Sequence, residues 1–436
     1  MKNPRQIAAV ALLAAESRAA WSNLSLDSAL RRHHLSPADS AFVANLFYGV
    51  IERRLTLDAC IRAHSKQKPE KLSPQVLCAL RLGVYQLLYM DIPDHAAVGE
   101  SVELMRAFRK PYASGFVNGV LRSFLRAGKN VPLPQGPLSA RMSVEYSCPA
   151  PLVEILLDAA GETAARSFLA DSLGRPPVSV RVNTLRTDAP SLIPLLEQEG
   201  VRAPPHSHLP DCLLLESTGA VAQLESYRQG LFHVQDVSSQ LCVMALGLDP
   251  GMRVLDACAA PGGKTFTAAQ LMGGKGEIVA CDIHEQRVGL ISQRAKQMGL
   301  TGITAICRDM TVHWDDLGTF DVVLCDVPCS GYGVIRRKPE IKYKLPSEFA
   351  NISSLQYNIL EKSAQYCKDG GLLLYSTCTF NPPENAGVVN RFLENHPEFS
   401  PRPLGGLLGE QSSRTLLGEF GGDGFYLAAL RKAGEL

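Results

Sequence analysis

Apolar residues recur three or four positions apart through the first 130 residues, and that spacing predicts helices throughout. Ser36-Pro37-Ala38-Asp39 has the form of a helix start: a capping serine, a first-turn proline and an acid three residues on. Behind it Phe42, Phe47, Val50 and Ile51 form one stripe. Others follow at Val76, Leu77, Leu80 and Val84, at Val98, Val102 and Met105, and at Phe116, Val120, Leu121 and Phe124. Pro74, Pro93 and Pro111 punctuate them. The run Ile7–Ala15, behind Lys2 and Arg5, mimics a secretory signal. Helical spacing continues past Glu16 to Trp21 without a small-x-small cleavage site, so a buried first helix is expected.

A Pro/Gly-rich joint at 131–137 closes this segment. Residues 138–235 then mix patterns. Val178, Val180 and Val182 alternate with Ser179 and Arg181, a strand signature, with Leu213–Leu215 and Leu231–Val234 as partners. From residue 236 the rhythm becomes strand, turn, helix, repeated. Val254–Ala257, Ile278–Cys281, Thr304–Ile306, Val322–Cys325 and Leu372–Tyr375 read as short buried strands. Amphipathic segments such as Glu285–Met298 and Ser347–Cys367 lie between them. This alternation predicts a Rossmann-like, doubly wound parallel sheet, whose ligands bind at the carboxyl ends of the strands. The expected chain is a multidomain α plus α/β protein: an all-helical bundle over 1–135, a small α/β domain over 138–235 and the wound domain over 236–436.

Three domains suit 436 residues, at roughly 150 residues each. A hydrophobic share of 46% with 20% charged residues excludes a disordered or collagen-like chain. No apolar run reaches the roughly 18–20 residues of a membrane helix, so no membrane partner is expected. Twelve scattered cysteines without C-x-x-C pairs fit reduced thiols of a cytoplasmic protein and give no support to a zinc site. Net charge is +1, but residues 1–130 hold eighteen Lys and Arg against ten Asp and Glu. A basic first third on a neutral chain points to a polyanion, although a solvated helical surface would look the same.

The chemistry gathers just after the strands. Cys258-Ala259-Ala260-Pro261-Gly262-Gly263-Lys264-Thr265 follows the first strand of the wound domain and opens into a helix. Its glycines permit a tight turn and close backbone approach, and the helix start offers N–H groups to an anion. The string lies one residue from a P-loop, with Cys258 in place of glycine, and Asp326 could pass for the magnesium-holding acid of an NTPase. Against that reading, Asp282 ends the second strand and Asp309 follows the third. An acid at the first of these positions accepts hydrogen bonds from ribose hydroxyls, though Asp282 could also cap the helix ahead of Glu285. Cys329 after the fourth strand and Cys378 after the fifth both occupy turns facing one crevice. A lone cysteine is usually an apolar filler, but two at neighbouring strand ends point to thiolate chemistry.

The loop 258–265, the stretch 326–342 (DVPCSGYGVIRRKPEIK) and Ser376-Thr377-Cys378-Thr379, in that order, resemble the RNA cytosine-5 methyltransferases that use S-adenosylmethionine. The likeness extends from Gln235-Asp236-Val237-Ser238-Ser239-Gln240 to Asp423-Gly424-Phe425-Tyr426. The helical third resembles the NusB-type RNA-binding domain, and the fusion resembles the bacterial enzymes that methylate a cytosine of 16S ribosomal RNA. The resemblance implies that Cys378 attacks C6 of the cytosine and that Cys329 assists release of the methylated base. It implies that Cys258, Ala259, Ala260, Pro261, Gly262, Gly263, Lys264, Asp282, Asp309 and Asp326 bind the methyl donor. It further implies action on 16S RNA or a small-subunit precursor, with the target base drawn from its stack. A monomer without a metal is expected, although nothing in the sequence excludes an oligomer. Tyr332, where the family often has Thr or Ala, puts the pocket's shape in question.

Overall fold

Ser36 caps a helix as its sequence predicts: its Oγ accepts from the Asp39 N–H at 3.1 Å, with Pro37 in the first turn of Pro37–Glu52. The computed structural model describes residues 3–18, 22–33, 35–216, 218–344 and 346–434. The first helix runs Pro4–Arg18; Trp21, where the predicted stripe ended, lies outside the described residues. Among the described residues no helix is long and apolar enough to cross a membrane.

The chain divides into two compact units, residues 1–174 with 335–344, and residues 175–334 with 345–436. The first is all helical. Its central helix, Pro74–Tyr89, is buried on every side, including Arg81 and Gln86. A buried guanidinium needs partners, and Arg81 has them: two hydrogen bonds to Asp58 at 2.7 and 2.8 Å and an ion pair with Glu16. The neighbouring helix approaches closely because Gly49 stands under the Tyr85 ring, where a Cβ would sit 2.0 Å from the ring carbon.

The Pro/Gly-rich stretch at 131–137 is an extended connection within this unit. The helices after it, Leu138–Glu145 and Ala150–Asp171, stay with the bundle: Thr56 Oγ1 donates to Val144 O at 2.5 Å, and the Leu55 N–H donates to Ser147 Oγ at 3.0 Å. The change to strand comes at Pro176-Pro177. Composition marked the connection but could not show which core the next helices would join. Residues 335–344 return to this unit much later in the chain. Lys342 Nζ donates to Glu52 O at 2.9 Å, and the Arg54 guanidinium lies 3.5 Å from the centre of the Tyr343 ring.

The second unit holds two sheets. Strands β1 (Val178–Val182), β2 (Cys212–Leu215) and β3 (Phe232–Val234) form an antiparallel sheet in the order β2-β1-β3. The large sheet contains β4 (Arg253–Asp256), β5 (Glu277–Asp282), β6 (Ile303–Cys307), β7 (Phe320–Asp326) and β8 (Cys367–Thr377), all parallel. Three antiparallel strands extend it: β9 (Phe399–Pro401), β10 (Ser413–Leu416) and β11 (Phe425–Lys432). The path is β10-β11-β8-β7-β4-β5-β6, with β9 on β11. Its inner parallel strands β4, β5, β7 and β8 bury both faces, which explains their continuous apolar runs, while the edge strand β6 stays partly exposed. Val254, Ile278, Val322, Leu324 and Leu374 enter one core, while Leu255, Val279, Val323, Cys325 and Leu373 enter the other. Helix Glu285–Met298 matches its prediction, whereas the predicted Ser347–Cys367 shrinks to Ile352–Ala364 because β8 already begins at Cys367.

Candidate active site at the carboxyl ends of the parallel strands

The chain runs β4, β5, β6 to one side, then crosses over and adds β7 and β8 on the other side of β4. The reversal leaves a crevice at the carboxyl ends of β4 and β7, the usual ligand position in such sheets. Strand register then sets the site. Asp326 pairs with Ser376 across β7 and β8, so Cys329 and Cys378 leave the sheet side by side. Their sulfurs lie 3.1 Å apart. The hydrogen bond to Cys378, and after it burial, hold the Cys329 thiol well above its ordinary range. At that distance the two sulfurs can share one thiol proton.

Asp326 bridges this pair to the glycine loop. Lys264 Nζ donates to its Oδ2 at 2.6 Å and Ser376 Oγ donates to its Oδ1 at 2.9 Å. Burial alone would lower the Lys264 ammonium; the Asp326 carboxylate outweighs that and holds it above its usual value. A lysine committed to this acid is not the free phosphate ligand of a P-loop, which counts against the NTPase reading. Gly262 adopts φ 102° as the cap of helix Gly263–Leu271, and a Cβ there would sit 2.5 Å from the Phe266 ring.

Two cavities meet here. One, of about 240 Å³, is lined by Asp256, Gly263, Lys264, Asp326, Cys378 and Gln235 among others, with Ala259 and Pro261. The second, of about 360 Å³, holds Asp282, Asp309 and Cys329. Cys258, Ala260, Asp326 and Cys378 belong to both. Of the residues expected to hold the donor or act on the base, only Gly262 lines neither of these two cavities; it shapes the loop from behind. Asp282 Oδ1 accepts the His284 N–H at 2.9 Å and Asp309 Oδ1 accepts the Thr311 N–H at 2.9 Å. His284, not Asp282, caps helix Glu285–Met298. The Cys258 thiol is pushed well up by burial, which makes it a wall and not a nucleophile. Tyr332 lines neither cavity: its ring packs 5.6 Å from Phe349 and 6.0 Å from Phe380.

The profile described as 16S rRNA methyltransferase RsmB/F matches residues 243–431, that of the NusB family matches 2–126, and a ferredoxin-like domain of RsmF/B-like methyltransferases matches 148–222. The chain is 36% identical over 447 residues to the probable ribosomal RNA small subunit methyltransferase B of Bacillus subtilis strain 168, covering 99% of each. The chain belongs to the RsmB/F methyltransferase family. The ribosomal RNA small subunit methyltransferase B of Vibrio cholerae is 34% identical, with 94% of this chain and 93% of that one covered. Among solved structures, the protein PH0851 superposes with a TM-score of 0.79 at 26% identity, over 99% of both chains. A methyltransferase homologue from Pyrococcus horikoshii gives 0.58 at 27% identity, over 68% of this chain and 99% of that one.

In this RsmB/F methyltransferase several supporting residues were not legible as such. Glu384 is fully buried: its Oε2 accepts from the Ser330 N–H at 2.8 Å and from Gln356 Nε2 at 3.1 Å, and its Oε1 from Asn381 Nδ2 at 2.8 Å. Gln356 also donates to Pro328 O at 2.9 Å, so the Cys329 turn is held from two sides. Ser330 and Thr379 hydroxyls meet at 2.9 Å, tying one cysteine turn to the other.

Asp256, at the end of β4, is 1% exposed. Thr265 Oγ1 donates to its Oδ2 at 2.6 Å, and burial pushes its carboxyl up to about 7. The folded state thus keeps a proton that the unfolded chain releases near pH 4. Stability from this group is full below pH 4 and is lost as pH rises through about 7. Asp256→Asn should remove that slope: urea melts at pH 4.5 and pH 8 should show the variant gaining on the parent by on the order of 3 kcal/mol. Equal differences at both pH values would refute the assignment.

Proposed function

We propose that this chain transfers a methyl group from S-adenosylmethionine to C5 of a cytidine in 16S ribosomal RNA, through a covalent bond between Cys378 and C6. The observation that carries the reading is the paired sulfurs, 3.1 Å apart where the two cavities meet. The names borne by the full-length relatives support ribosomal RNA as the substrate class.

The larger cavity fits the donor. Its volume falls in the range of small-molecule pockets, and Asp282 and Asp309 each use Oδ1 for a local turn, leaving Oδ2 to accept from ribose or adenine. Asp282, Asp309, Asp326 and the loop 258–264 would hold it. When bound, S-adenosylmethionine supplies an electrophilic methyl group on a sulfonium centre. Asp282→Ala should weaken binding of S-adenosylhomocysteine by roughly 10–100-fold, the loss of one or two charge-assisted hydrogen bonds. Calorimetry showing parent-like affinity would remove Asp282 from the donor site.

The residues of the chain do the rest. C5 of cytosine is a weak nucleophile, so Cys378 sulfur adds to C6 and gives C5 enamine character. Once C5 carries the methyl group, its proton leaves, the C6–sulfur bond breaks and the bonding pair returns to Cys378. Cys329, holding its proton beside that sulfur, stabilises the departing thiolate. The base must leave its stack to enter the smaller cavity.

The test is to incubate the protein with methyl-labelled S-adenosylmethionine and unmodified 16S RNA, digest the RNA and identify the labelled nucleoside. Labelled 5-methylcytidine at one position is expected. Label in another nucleoside would overturn the cysteine mechanism, and an unlabelled 16S RNA beside a labelled transfer RNA in a parallel incubation would move the substrate.

A further inference from the structure

Gln235 is 5% exposed and lines the smaller cavity with Lys264, Asp326 and Cys378. Its backbone is fixed at both ends, N–H to Ser179 O at 3.1 Å and C=O from Gln240 Nε2 at 3.2 Å. Its side-chain oxygen is fixed as well. Thr267 Oγ1 donates to Oε1 at 2.5 Å, and His233 Nε2 lies 3.2 Å from the same atom. His233 is buried and burial lowers its imidazole to about 3, so the ring is neutral; the tautomer we assign to it carries the proton on Nε2, facing that oxygen. With the oxygen held by two donors, the amide nitrogen is left over: it is buried and has no hydrogen-bond partner. Gly263 keeps the space beside it open; a Cβ there would lie 3.5 Å from Gln235 Cγ and 3.7 Å from its amide nitrogen.

A buried amide nitrogen without an acceptor is costly, so a ligand that supplies one is favoured at this point. The proposed reaction supplies it. When Cys378 sulfur bonds to C6 of cytosine, the C5–C6 π pair moves to C5. It spreads through the C4–N3 bond onto N3 and the O2 carbonyl, while the thiol proton has gone to solvent. Negative charge therefore grows at O2, and a fixed neutral donor aimed at that oxygen stabilises the adduct more than the free base. Lys264 is already engaged by Asp326, which leaves the amide as a donor not otherwise committed in this wall.

We propose that Gln235 is a further catalytic residue, its amide nitrogen donating a hydrogen bond to the O2 carbonyl of the target cytosine, with Thr267 and His233 as the residues that position it. The inference rests on the cytosine-5 reading above.

The experiment measures, on 16S RNA, methyl transfer and the rate at which the Cys329→Ala protein forms a covalent RNA adduct on denaturing gels, with and without Gln235→Leu. The expected result is a loss of about 100-fold in both for the leucine variant, the scale of one oxyanion-type donor. Binding of S-adenosylhomocysteine should stay within twofold of the parent. Gln235→Glu, nearly isosteric, should be as slow as the leucine variant at pH 8. It should recover as pH falls and the carboxyl regains a proton to donate, a profile that a packing role would not produce. Unchanged adduct rates in Gln235→Leu, or a glutamate variant with the parent's rate and pH profile, would overturn the proposal. So would a loss of donor affinity equal to the loss of rate, since the amide would then serve the donor. If the parent protein itself makes no 5-methylcytidine, the cytosine-5 reading fails instead, and that result is distinct from these.

Discussion

Replacing Cys378 by alanine should abolish methyl transfer while leaving S-adenosylhomocysteine binding within a few-fold of the parent. The separation follows from where the residue stands. Cys378 lies at the end of β8, on the border of both cavities, while Asp282 and Asp309 line the larger one on the far side of Asp326. Alanine keeps the backbone that Gly333 N–H reaches at Cys378 O, at 3.0 Å, so the turn retains its hydrogen bond. What disappears is the sulfur proposed to add to C6. Losing a covalent nucleophile costs at least about 10³-fold in turnover. Transfer would be followed with labelled donor and binding by calorimetry. Full turnover by the alanine variant would sink the covalent mechanism, whatever the substrate.

The same geometry assigns the opposite phenotype to its neighbour. Cys329→Ala should trap a protein–RNA complex that survives denaturing electrophoresis, because addition to C6 needs only Cys378 whereas release needs a proton beside the departing sulfur. In the proposed mechanism that proton comes from Cys329, whose sulfur lies 3.1 Å from that of Cys378. We expect most of the variant to shift to the slower band within one turnover, with product release falling by about 100-fold or more. The double variant with Cys378→Ala should show no shifted band. Rapid turnover without a trapped species would remove Cys329 from the release step.

The parts of this site that follow strands were legible because a parallel sheet delivers its loops to one edge. Given five apolar runs, the loop 258–264, Asp282, Asp309, Asp326, Cys329 and Cys378 had to fall together. The antiparallel extension was harder. β10 is only partly buried and β9 has three residues, so neither carries a strong alternation. Residues acting through tertiary contacts left no local trace. Glu384 looks like an ordinary acid after two prolines, yet it takes three hydrogen bonds beneath the Cys329 turn. Tyr332 stood out in the sequence and proves to pack between two phenylalanines.

Residues 335–344, which belong to the helical unit although they lie far along the chain, bear on the order in which the protein can be made. Lys342 and Tyr343 fill places beside Glu52, Arg54 and Ser147 that nothing earlier in the chain occupies. An emerging chain that has reached Gly174 therefore carries a bundle with an open slot. It must wait until Lys344 has been added, roughly ten to thirty seconds at ordinary rates of synthesis. The first unit to begin folding is not the first to finish. Cutting the gene between the two units would leave the slot empty on one product and a half-buried tyrosine stripped bare on the other.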